Sequence, residues 1–430
     1  SRPTCDVIAP WYSAHITLPA VVHLSRFPLC SRYILAQMAL LARSVRSHSR
    51  PVGAGSRPVV AARKCVVALS SSAPATTVNP SAPKTGQHTV EDSLRDEALS
   101  YFFNSSDLKT TPTTGGVNNV VQYVETSNGE RYILRIYNNG NKSEKVRFEH
   151  EILRQLAQQQ LSFQVPRALS SKAGRPHELL SNGAEACIFH IIPGTLAKTT
   201  SPEEVGRATG ELCSAMGKVR IDNMKAPIPP YFELFKVHHA IGGDADVFYR
   251  EVANNPDFNV CREAIDFLVS EIRKIEEKLA IYLQQDLPMQ LIHGDLHYDN
   301  VMVVEDTVSG LLDFEFCAYD WRAMELAVAL SKYVGEDDPL PLCERFVSGF
   351  AQHGQLTDAE IAAIPDLVNL RIFSNAVYFT GRAIAGEDSL ESLTSRAGSY
   401  AKRVRWVNAN RGALVAVIRE KMATLVEARA

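Results

Sequence analysis

The chain has 430 residues, a formal net charge of −3, and 45% hydrophobic and 22% charged residues. This length suffices for two domains or one large domain with lobes, and the composition excludes a fully disordered chain, a collagen and a small disulfide scaffold. A near-neutral chain without a block of basic residues is a poor candidate for nucleic-acid binding. The longest uncharged stretch near the start, Val7–Ser25, is interrupted by two prolines and two histidines, so we expect no membrane-spanning helix, which needs about 18 or more mostly apolar residues.

The first 90 residues differ in charge from the rest of the chain. They contain eight arginines, two lysines and a single acidic residue, Asp6, which gives +9, whereas the remaining 340 residues carry −12. A segment rich in Arg and Ser and almost free of acids is typical of an organelle transit peptide. We therefore expect residues 1–87 to be a disordered transit peptide and linker, with translation starting at Met38 and residues 1–37 as upstream sequence.

The composition after Met38 indicates the destination of this leader. Too few apolar residues precede Arg43 for the hydrophobic region of a secretory signal, and the richness in Ser, Ala and Val resembles plastid leaders. We expect import into the chloroplast stroma. The mitochondrial matrix is the alternative destination because Leu40–Arg46 can form an Arg-bearing amphipathic helix. A disordered N-terminal tail without a targeting function is a third interpretation.

Cysteine usage favours a reducing compartment. Five of the eight cysteines follow the leader, and they are scattered, odd in number and without CxxC spacing. Neither a disulfide framework nor a zinc cluster is indicated, and each is expected to be a small buried apolar residue. The five are Cys187, Cys213, Cys261, Cys317 and Cys343.

The first elements after the leader combine helical and strand patterns. Some segments have apolar residues at helical spacing, and others have side chains that alternate with a period of two, as in a strand. Asn128-Gly129 is a hairpin turn between two of the strand segments. The predicted elements of this part are a helix over Glu91–Phe103, strands over Val120–Glu125 and Tyr132–Tyr137, a helix over Ser143–Gln160 and a strand over Ala186–Ile192.

Helical periodicity dominates the remainder, with one interruption at Leu291–Asp320. Within it two short apolar runs, Val301–Val304 and Gly310–Phe314, suggest a pair of strands. The layout predicts a small strand-rich N-terminal lobe over 88–193, a short hinge and a large helical C-terminal lobe over 194–430. The predicted helices of the second lobe are Glu203–Val219, Phe258–Gln285, Trp321–Val334, Leu340–His353, Asp358–Ala385 and Leu390–Glu427.

The interruption reads LIHGDLHYDNVMVVEDTVSGLLDFEF and carries the chemically distinctive residues. Phosphoryl transfer needs a carboxylate that accepts or orients the proton of the acceptor hydroxyl, and oxygen ligands for Mg²⁺ beside the ATP phosphates. The protein-kinase catalytic loop supplies an Asp, an Asn five residues later and a second Asp in the sequence Asp-Phe-Gly. Here Asp295 is followed by Asn300 at the same offset and by Asp313 18 residues later. We predict that Asp295 is catalytic and that Asn300 and Asp313 hold Mg²⁺.

The sequences HGDLHYDN and LLDFEF closely resemble the aminoglycoside phosphotransferase and choline kinase superfamily, the small-molecule relatives of protein kinases. Glu315, in place of the Gly of Asp-Phe-Gly, fits that branch. The resemblance covers about residues 95–400 and implies an α+β, two-lobed protein-kinase-like fold, with a small antiparallel-sheet N-lobe and a large, mostly helical C-lobe. It also implies ATP and Mg as cofactors, and ATP and a small hydroxyl-bearing metabolite as partners, with the oligomeric state open.

The same resemblance implies nucleotide-binding residues upstream. The turn Thr114–Asn119 precedes the hairpin, and there the backbone of Gly115 and Gly116, together with Asn119, is expected to cover the phosphates. Arg135 occupies the place where kinases put a Lys that contacts the α- and β-phosphates. Its planar fork is larger than an ammonium group, but it still neutralises phosphate charge.

Two further positions follow from the family pattern. In RFEHEILRQL the pattern Glu-x-x-x-Leu-x-x-Leu selects Glu149 as the ion-pair partner of Arg135, with Glu151 as the alternative. The apolar strand that follows resembles the family's hinge, where backbone groups of His190 and Ile192 would meet the adenine edge. A plain buried strand is the alternative interpretation.

A zinc site is a competing interpretation of the catalytic loop. His293 and His297 are four residues apart, as in the zinc helix HExxH, but Gly294 stands in place of the Glu and no third ligand is evident. We therefore expect His293 to brace the loop through hydrogen bonds and His297 to lie beside the site.

Three acceptor classes are compatible with the sequence. The segments GGVNNVVQYVET, LRIYN and DFEFCAYDWRAMELAVAL most resemble type II homoserine kinases, so homoserine or a similar amino alcohol is the first expectation. Choline or ethanolamine would need an aromatic cage, and aminoglycosides would need several acids. Because Arg135 departs from the usual Lys, a pseudokinase or nucleotide-binding scaffold without turnover is the alternative from another class. The candidate groups are Arg322, Arg371 and Arg382 for a carboxylate, Tyr319, Trp321 and Tyr378 for a cage, and Glu336, Asp337 and Asp338 for an aminoglycoside.

Overall fold

The structure, a computed structural model, describes residues 92–104, 107–113, 119–137 and 143–429. The predicted transit peptide and linker over 1–87, with the expected start at Met38, lie outside the described residues. Among the helices given below, none combines the length and the apolar character that a membrane crossing requires.

Strands and helices alternate in the first part of the described chain, and helices dominate afterwards. The helices are α1 (Asp92–Phe102), α2 (Ser143–Leu156), α3 (Pro202–Met216), α4 (Ala245–Asn254), α5 (Arg262–Gln284), α6 (Met324–Tyr333), α7 (Pro339–Ala351), α8 (Asp358–Ile384) and α9 (Leu390–Arg429). The strands are β1 (Lys109–Pro112), β2 (Val120–Glu125), β3 (Arg131–Tyr137), β4 (Glu178–Leu179), β5 (Glu185–His190), β6 (Thr195–Leu196), β7 (Met289–Ile292), β8 (Val301–Val304), β9 (Thr307–Leu311) and β10 (Ala318–Trp321). Short 3₁₀ helices cover Leu234–Val237, Pro256–Cys261, Tyr298–Asn300 and Phe314–Phe316.

The N-terminal lobe is built on a five-stranded antiparallel sheet in the order β1-β2-β3-β5-β4. Successive side chains of β3 point to opposite faces. Leu134 and Ile136 pack with α1 on one face, whereas Tyr137 packs on the other face in a cluster that includes Ile152 of α2. The alternation therefore turns Arg135 toward α2 and toward the cleft between the two lobes.

The C-terminal lobe is arranged around α8, which packs against α6 and α9 and is buried over most of its length. This helix begins with a capping box, in which Thr357 and Glu360 exchange side-chain and backbone hydrogen bonds. Two small antiparallel sheets, β7-β10 and β6-β8-β9, carry the loops that face the cleft. A long buried helix thus forms one wall behind those loops.

The structure agrees with the expected α+β, two-lobed arrangement, with an antiparallel N-terminal sheet and a mostly helical second lobe. Some predicted boundaries are wrong. Helix α6 begins at Met324 instead of Trp321, because the preceding residues pair with β7 as β10. Helix α5 begins at Arg262 after a 3₁₀ helix, and β9 ends at Leu311 instead of Phe314. The sequence patterns also miss α4 and the strands β1, β4, β6, β7 and β10, since most of these segments are too short for a periodic pattern.

Candidate active site

The loop that carries Asp295 connects β7 to β8 and lies against the loop that carries Asp313. Gly294 has φ +79°, a left-handed conformation that residues with a side chain rarely adopt. A Cβ at this position would lie 2.5 Å from the carbonyl oxygen of Phe316. Glycine is therefore required at 294 both for the turn and for the close approach of the two loops.

Hydrogen bonds from buried side chains fix the backbone of this catalytic loop. Glu325 of α6 accepts a hydrogen bond from the N–H of His293 at 2.7 Å, and burial raises the pKa of Glu325 to about 7. The imidazole of His293 is buried, which lowers its pKa to about 4. Its Nε2 donates to the carbonyl oxygen of Leu312 at 2.9 Å, and its Nδ1 accepts from the N–H of Asp295 at 3.2 Å. A neutral histidine thus joins the two loops.

The structure brings Asp295, Asn300 and Asp313 to the same end of the β8–β9 hairpin. The side-chain amide of Asn300 donates to the carbonyl oxygen of Asp295 at 2.9 Å, so its amide oxygen is the atom left for a cation. The backbone carbonyl of Asn300 accepts from the N–H of Leu312 at 2.9 Å, which holds the following residue, Asp313, nearby. Asp313 has φ 68° and ψ 57°, a left-handed conformation that is uncommon outside glycine.

Arg135 lies at the centre of a carboxylate cluster. Its side chain is 11% exposed, and the carboxylates within 3.2 Å of its guanidinium are those of Glu149, Asp313 and Glu315. Lys145 of α2 lies 3.5 Å from Glu315. Because the cluster draws on β3, α2 and the loop after β9, its ion pairs connect the two lobes.

The two candidate partners of Arg135 have different surroundings. Glu149 is buried and lies 3.1 Å from the guanidinium. Glu151 instead accepts hydrogen bonds from Arg154 at 2.8 Å and from Gln155 at 2.7 Å, both on its own helix. Glu149, the residue that the family pattern selects, therefore occupies the ion-pair position.

The oxygen atoms of this cluster suit a divalent cation. Burial in the cleft and the neighbouring carboxylates raise the pKa of Asp313 to about 7, although Arg135 opposes the shift. Burial likewise raises the pKa of Glu149, whose Oε2 has no hydrogen-bond partner among the described residues. A surplus of carboxylates together with an amide oxygen is the ligand set that Mg²⁺ prefers. Asn300 and Asp313 are thus chemically suited to hold a metal.

The predicted phosphate cover is described only in part. Gly115 and Gly116 lie outside the described residues. Asn119, the last residue of that turn, is buried, and its side-chain amide donates to Glu315 at 2.9 Å. This hydrogen bond links the N-terminal lobe to the loop after β9, and a phosphate contact of Asn119 stays a prediction.

The segment expected to form the hinge follows β5, which ends at His190, two residues before the predicted end. The N–H of His190 donates to the carbonyl oxygen of Arg167 at 3.0 Å, so an adenine contact at this residue would involve its carbonyl oxygen. Ile192 is buried against Gly310, where a Cβ would lie 2.5 Å from Ile192 Cγ2. The hinge therefore packs closely on β9.

The three arginines proposed for an acceptor carboxylate differ in position. Arg371 of α8 lies in the cleft, and its Nη1 donates to the side-chain oxygen of Asn375 at 2.6 Å. Arg322 and Arg382 form ion pairs elsewhere in the lobe. The carboxylate partners are Asp295 for Arg371, Glu360 for Arg322, and Asp388 for Arg382.

The other acceptor candidates lie on separate elements among the described residues. Trp321 is 2% exposed and has no face available for a cation, and Tyr378 packs against a histidine at 5.6 Å between ring centroids. Tyr319 is 38% exposed on β10. Asp337 and Asp338 are exposed in the turn between α6 and α7. This arrangement provides neither an aromatic cage nor an acidic pocket from these residues.

The histidines of the catalytic loop act as hydrogen-bonding residues. His297 accepts the N–H of Asp299 at 3.2 Å through Nδ1 and lies 3.7 Å from Asp295, which agrees with its expected place beside the site. His293 braces the loop, also as expected. Among the described residues, one group of three His, Cys, Asp or Glu side chains has the spacing of a metal site. It consists of His238, His239 and Glu387.

Sequence patterns missed several residues that build the site from distant segments. The ring of Tyr231 lies 5.6 Å from the guanidinium of Arg371, and its hydroxyl donates to the carbonyl oxygen of Gly294 at 2.5 Å. Asn375 and Glu325 are the others. Glu325 falls within the family segment that follows DFEF, which is the one sequence feature that could have pointed to it. Tyr231 and Asn375 lie in no such segment.

A cleft between an antiparallel sheet and a helical lobe, with Asp295, Asn300 and Asp313 together at its base, defines a phosphotransferase of the protein-kinase-like class. Residues 109–362 match the model of the phosphotransferase enzyme family (APH), and the chain belongs to this family. It is a small-molecule kinase of this family.

Individual relatives agree with this membership. Homoserine kinase of Zymomonas mobilis subsp. mobilis is 27% identical over 282 residues, which cover 64% of this chain and 82% of the relative. Homoserine kinase of Granulibacter bethesdensis is 27% identical over 291 residues, 65% of this chain and 83% of the relative.

Two solved structures share the fold. A microcompartment-associated aminopropanol kinase has a TM-score of 0.56 and 16% identity, covering 76% of this chain and 99% of that chain. An amicoumacin kinase in complex with AMP-PNP and Ca²⁺ has a TM-score of 0.52 and 18% identity, covering 72% of this chain and 92% of that chain.

Proposed function

We propose that the protein transfers the γ-phosphoryl group of ATP, with Mg²⁺, to a hydroxyl of a small metabolite, with homoserine or a similar amino alcohol as the acceptor. The observation that carries the proposal is the meeting of Asp295, Asn300 and Asp313 beside Arg135 in the cleft. The relatives named homoserine kinase support the acceptor. The neighbour in complex with AMP-PNP and Ca²⁺ supports a nucleotide with a divalent metal.

Each residue has a defined task in this reaction. Asp295 accepts the proton of the acceptor hydroxyl or orients that hydroxyl toward the γ-phosphoryl group. Burial raises the pKa of Asp295 above its ordinary value, against the effect of Arg371, and this strengthens it as a proton acceptor. Asn300 and Asp313 hold Mg²⁺, which neutralises phosphate charge. Arg135 directs fixed positive charge at the phosphates from β3.

The alternative functions have less support in the cleft. A choline-type acceptor would place a quaternary ammonium group near Arg371, whose charge repels it, and Trp321 is buried away from such a cage. A scaffold without turnover has no chemical need for the set of Asp295, Asn300 and Asp313.

The acceptor is identified by incubating the protein with ATP, Mg²⁺ and a panel of amino alcohols, hydroxy amino acids and sugars, with the products measured by mass spectrometry. The expected result is the addition of one phosphoryl group to homoserine or a close analogue, abolished by chelation of Mg²⁺. The absence of a phosphorylated product from every member of the panel would contradict the proposal.

The metal role is tested separately by Mg·ATP binding. Asp313→Ala should weaken binding at low Mg²⁺ by about tenfold or more, because it removes a charged ligand of the metal. Asp306→Ala is the matched control, since Asp306 lies in the exposed turn of the same hairpin. Equal nucleotide affinity of wild type and Asp313→Ala would remove Asp313 from the metal site.

We also propose that the protein works in the plastid stroma. The charge asymmetry of the first 90 residues and the composition after Met38 support this location. Residues 38–87 fused to a fluorescent protein should direct it into plastids. Fluorescence in mitochondria would favour the alternative address, and diffuse cytosolic fluorescence would contradict a transit peptide.

A further inference from the structure

The acceptor half of the cleft contains a mostly buried arginine that phosphoryl transfer itself does not require. The Nη2 of Arg371 donates to the carboxylate of Asp295, and its Nη1 donates to the side-chain oxygen of Asn375 at 2.6 Å. The guanidinium carbon lies 5.6 Å from the centre of the Tyr231 ring, and the side chain is 14% exposed. A fixed positive charge therefore lies beside the carboxylate that must receive the acceptor hydroxyl.

We propose that Arg371 binds a carboxylate of the acceptor, so that the substrate is a short hydroxy acid or hydroxy amino acid and not the corresponding amino alcohol. The inference rests on the proposed function and names the chemical class of its acceptor. Without an acceptor, Asp295 takes the place of that carboxylate on the guanidinium.

The catalytic task of Asp295 argues against a permanent ion pair with Arg371. A carboxylate that takes a proton from a hydroxyl must be hydrogen-bonded to that hydroxyl. The guanidinium has five N–H donors in a planar fork that matches carboxylate geometry. A carboxylate on the acceptor thus takes over the guanidinium and leaves Asp295 to the hydroxyl.

The other two arginines are already engaged with carboxylates of the protein. Arg322 lies on the buried carboxylate of Glu360, and Arg382 lies 2.8 Å from Asp388. Of the three, Arg371 is the one that contacts the catalytic carboxylate. A molecule that reaches both Arg371 and Asp295 must carry its carboxylate and its hydroxyl a few bonds apart, as short hydroxy acids do.

The first experiment compares three acceptors on the wild-type protein that differ by one group. Homoserine carries the carboxylate and the ammonium group, 4-hydroxybutyrate lacks the ammonium group, and 3-aminopropan-1-ol lacks the carboxylate. The kcat/KM for 3-aminopropan-1-ol should be at least about 100-fold below that for homoserine, because the buried guanidinium loses its partner. 4-Hydroxybutyrate should keep a larger part of the activity. If the acceptor screen identifies another hydroxy amino acid, that acid replaces homoserine and its decarboxylated analogue replaces 3-aminopropan-1-ol.

The second experiment compares Arg371→Gln, Arg371→Lys and the control Arg382→Gln, which lies further along the same helix. Arg371→Gln should raise KM for homoserine by about 100-fold and leave kcat/KM for 3-aminopropan-1-ol within about threefold, so the preference collapses. Arg371→Lys should recover part of the preference through its charge. Arg382→Gln should behave as wild type with all three acceptors. Tm and Mg·ATP affinity are measured for each variant.

Two results would overturn the inference and leave the kinase function standing. One is a wild-type protein that uses 3-aminopropan-1-ol as efficiently as homoserine. The other is an Arg371→Gln variant that loses all acceptors equally at unchanged Tm, which would make Arg371 a positioning residue for Asp295. If Arg371→Gln does not fold, the wild-type comparison and Arg371→Lys decide. No product from any acceptor would overturn the proposed function itself.

Discussion

Arg135 and Arg371 are mostly buried arginines from different lobes, and they meet their carboxylates in different ways. Arg135 lies within 3.2 Å of three carboxylates, which come from α2 and from the loop after β9. Among the described residues, Arg371 forms an ion pair with one carboxylate, that of Asp295, and it donates a hydrogen bond to the amide oxygen of Asn375. The two sides of the cleft therefore have different electrostatic balances.

The difference explains what each side can bind. Around Arg135 the carboxylates outnumber the cationic side chains even when Lys145 is included, so a divalent cation completes that half. At Arg371 the guanidinium faces one carboxylate, that of Asp295. A carboxylate of the acceptor can bind the guanidinium when Asp295 turns to the acceptor hydroxyl. The nucleotide half thus requires a cation, and the acceptor half admits an anion.

The largest effect is expected at Asp295, the residue that the two halves share. Asp295→Asn removes the proton acceptor at nearly constant size, so turnover should fall by at least about 100-fold while Mg·ATP affinity stays close to wild type. Steady-state kinetics and equilibrium nucleotide binding measure the two quantities. Asp306→Asn, in an exposed turn, should change neither of them. Near-wild-type turnover of Asp295→Asn would end the catalytic assignment.

The nucleotide half is tested next at Arg135. Arg135→Lys should retain substantial activity because the positive charge survives, whereas Arg135→Met should lose about 100-fold in kcat/KM, since phosphate contacts strengthen in the transition state. A purely structural arginine predicts another pattern, in which both variants lower Tm together and activity follows the folded fraction. Turnover and Tm of the same three proteins separate these outcomes. If Arg135→Met turns over like wild type, the residue does not serve the phosphates.

A cluster outside the cleft gives a smaller effect of another kind. Asp366 of α8 accepts hydrogen bonds from Lys278, Tyr282 and Arg411 at 2.6–2.7 Å, and it joins three helices. Asp366→Asn should lower the free energy of unfolding near pH 7 by about 2 kcal/mol, because hydrogen bonds to a charged group are lost. The kcat of the folded protein should not change. Urea unfolding and kinetics check both expectations.

The pH dependence of this loss follows from the pKa of Asp366. Burial acts to raise that pKa, but the hydrogen bonds from Arg411 and Lys278 lower it below its ordinary value. The stabilisation is therefore complete above the unfolded-state pKa of about 3.9 and is lost as the pH falls through the lower folded-state pKa. The difference between wild type and Asp366→Asn should shrink at about pH 3. Asp358→Asn, exposed at the start of the same helix, should cost less than about 1 kcal/mol near pH 7. An undiminished loss for Asp366→Asn at low pH would refute the charge argument.

The smallest effect is expected at the N-terminus. A protein that begins at residue 88 should have the kcat/KM and Tm of longer forms, because both arginines and all the residues that surround them lie in the lobes. Failure of the shortened protein to fold would give the leader a structural role and would contradict its interpretation as a transit peptide.

Local spacing made part of the site predictable. Asp295, Asn300 and Asp313 stand at fixed offsets in one short stretch, and the family pattern in RFEHEILRQL selected Glu149 over Glu151. Such residues are positioned by the backbone geometry of their own segment, which the sequence encodes directly.

The acceptor half was not predictable in the same way. Arg371 was one of three equivalent candidates, and its contact with Asp295 depends on how α8 packs, which involves residues far apart in the chain. Tyr231 lies in a segment without a periodic pattern. The pairing of β7 with β10 also escaped prediction, because each strand has four residues and takes its partner from a distant segment.

At Asp313 the backbone conformation and the proposed metal-binding role favour different residues. Glycine would adopt φ 68° without strain, but glycine has no oxygen to offer a metal. Replacing Asp313 by glycine would relieve the backbone strain but would remove the oxygen atoms offered to the metal and the ion pair with Arg135. Engineering for stability should therefore leave this position untouched, although its backbone conformation favours glycine.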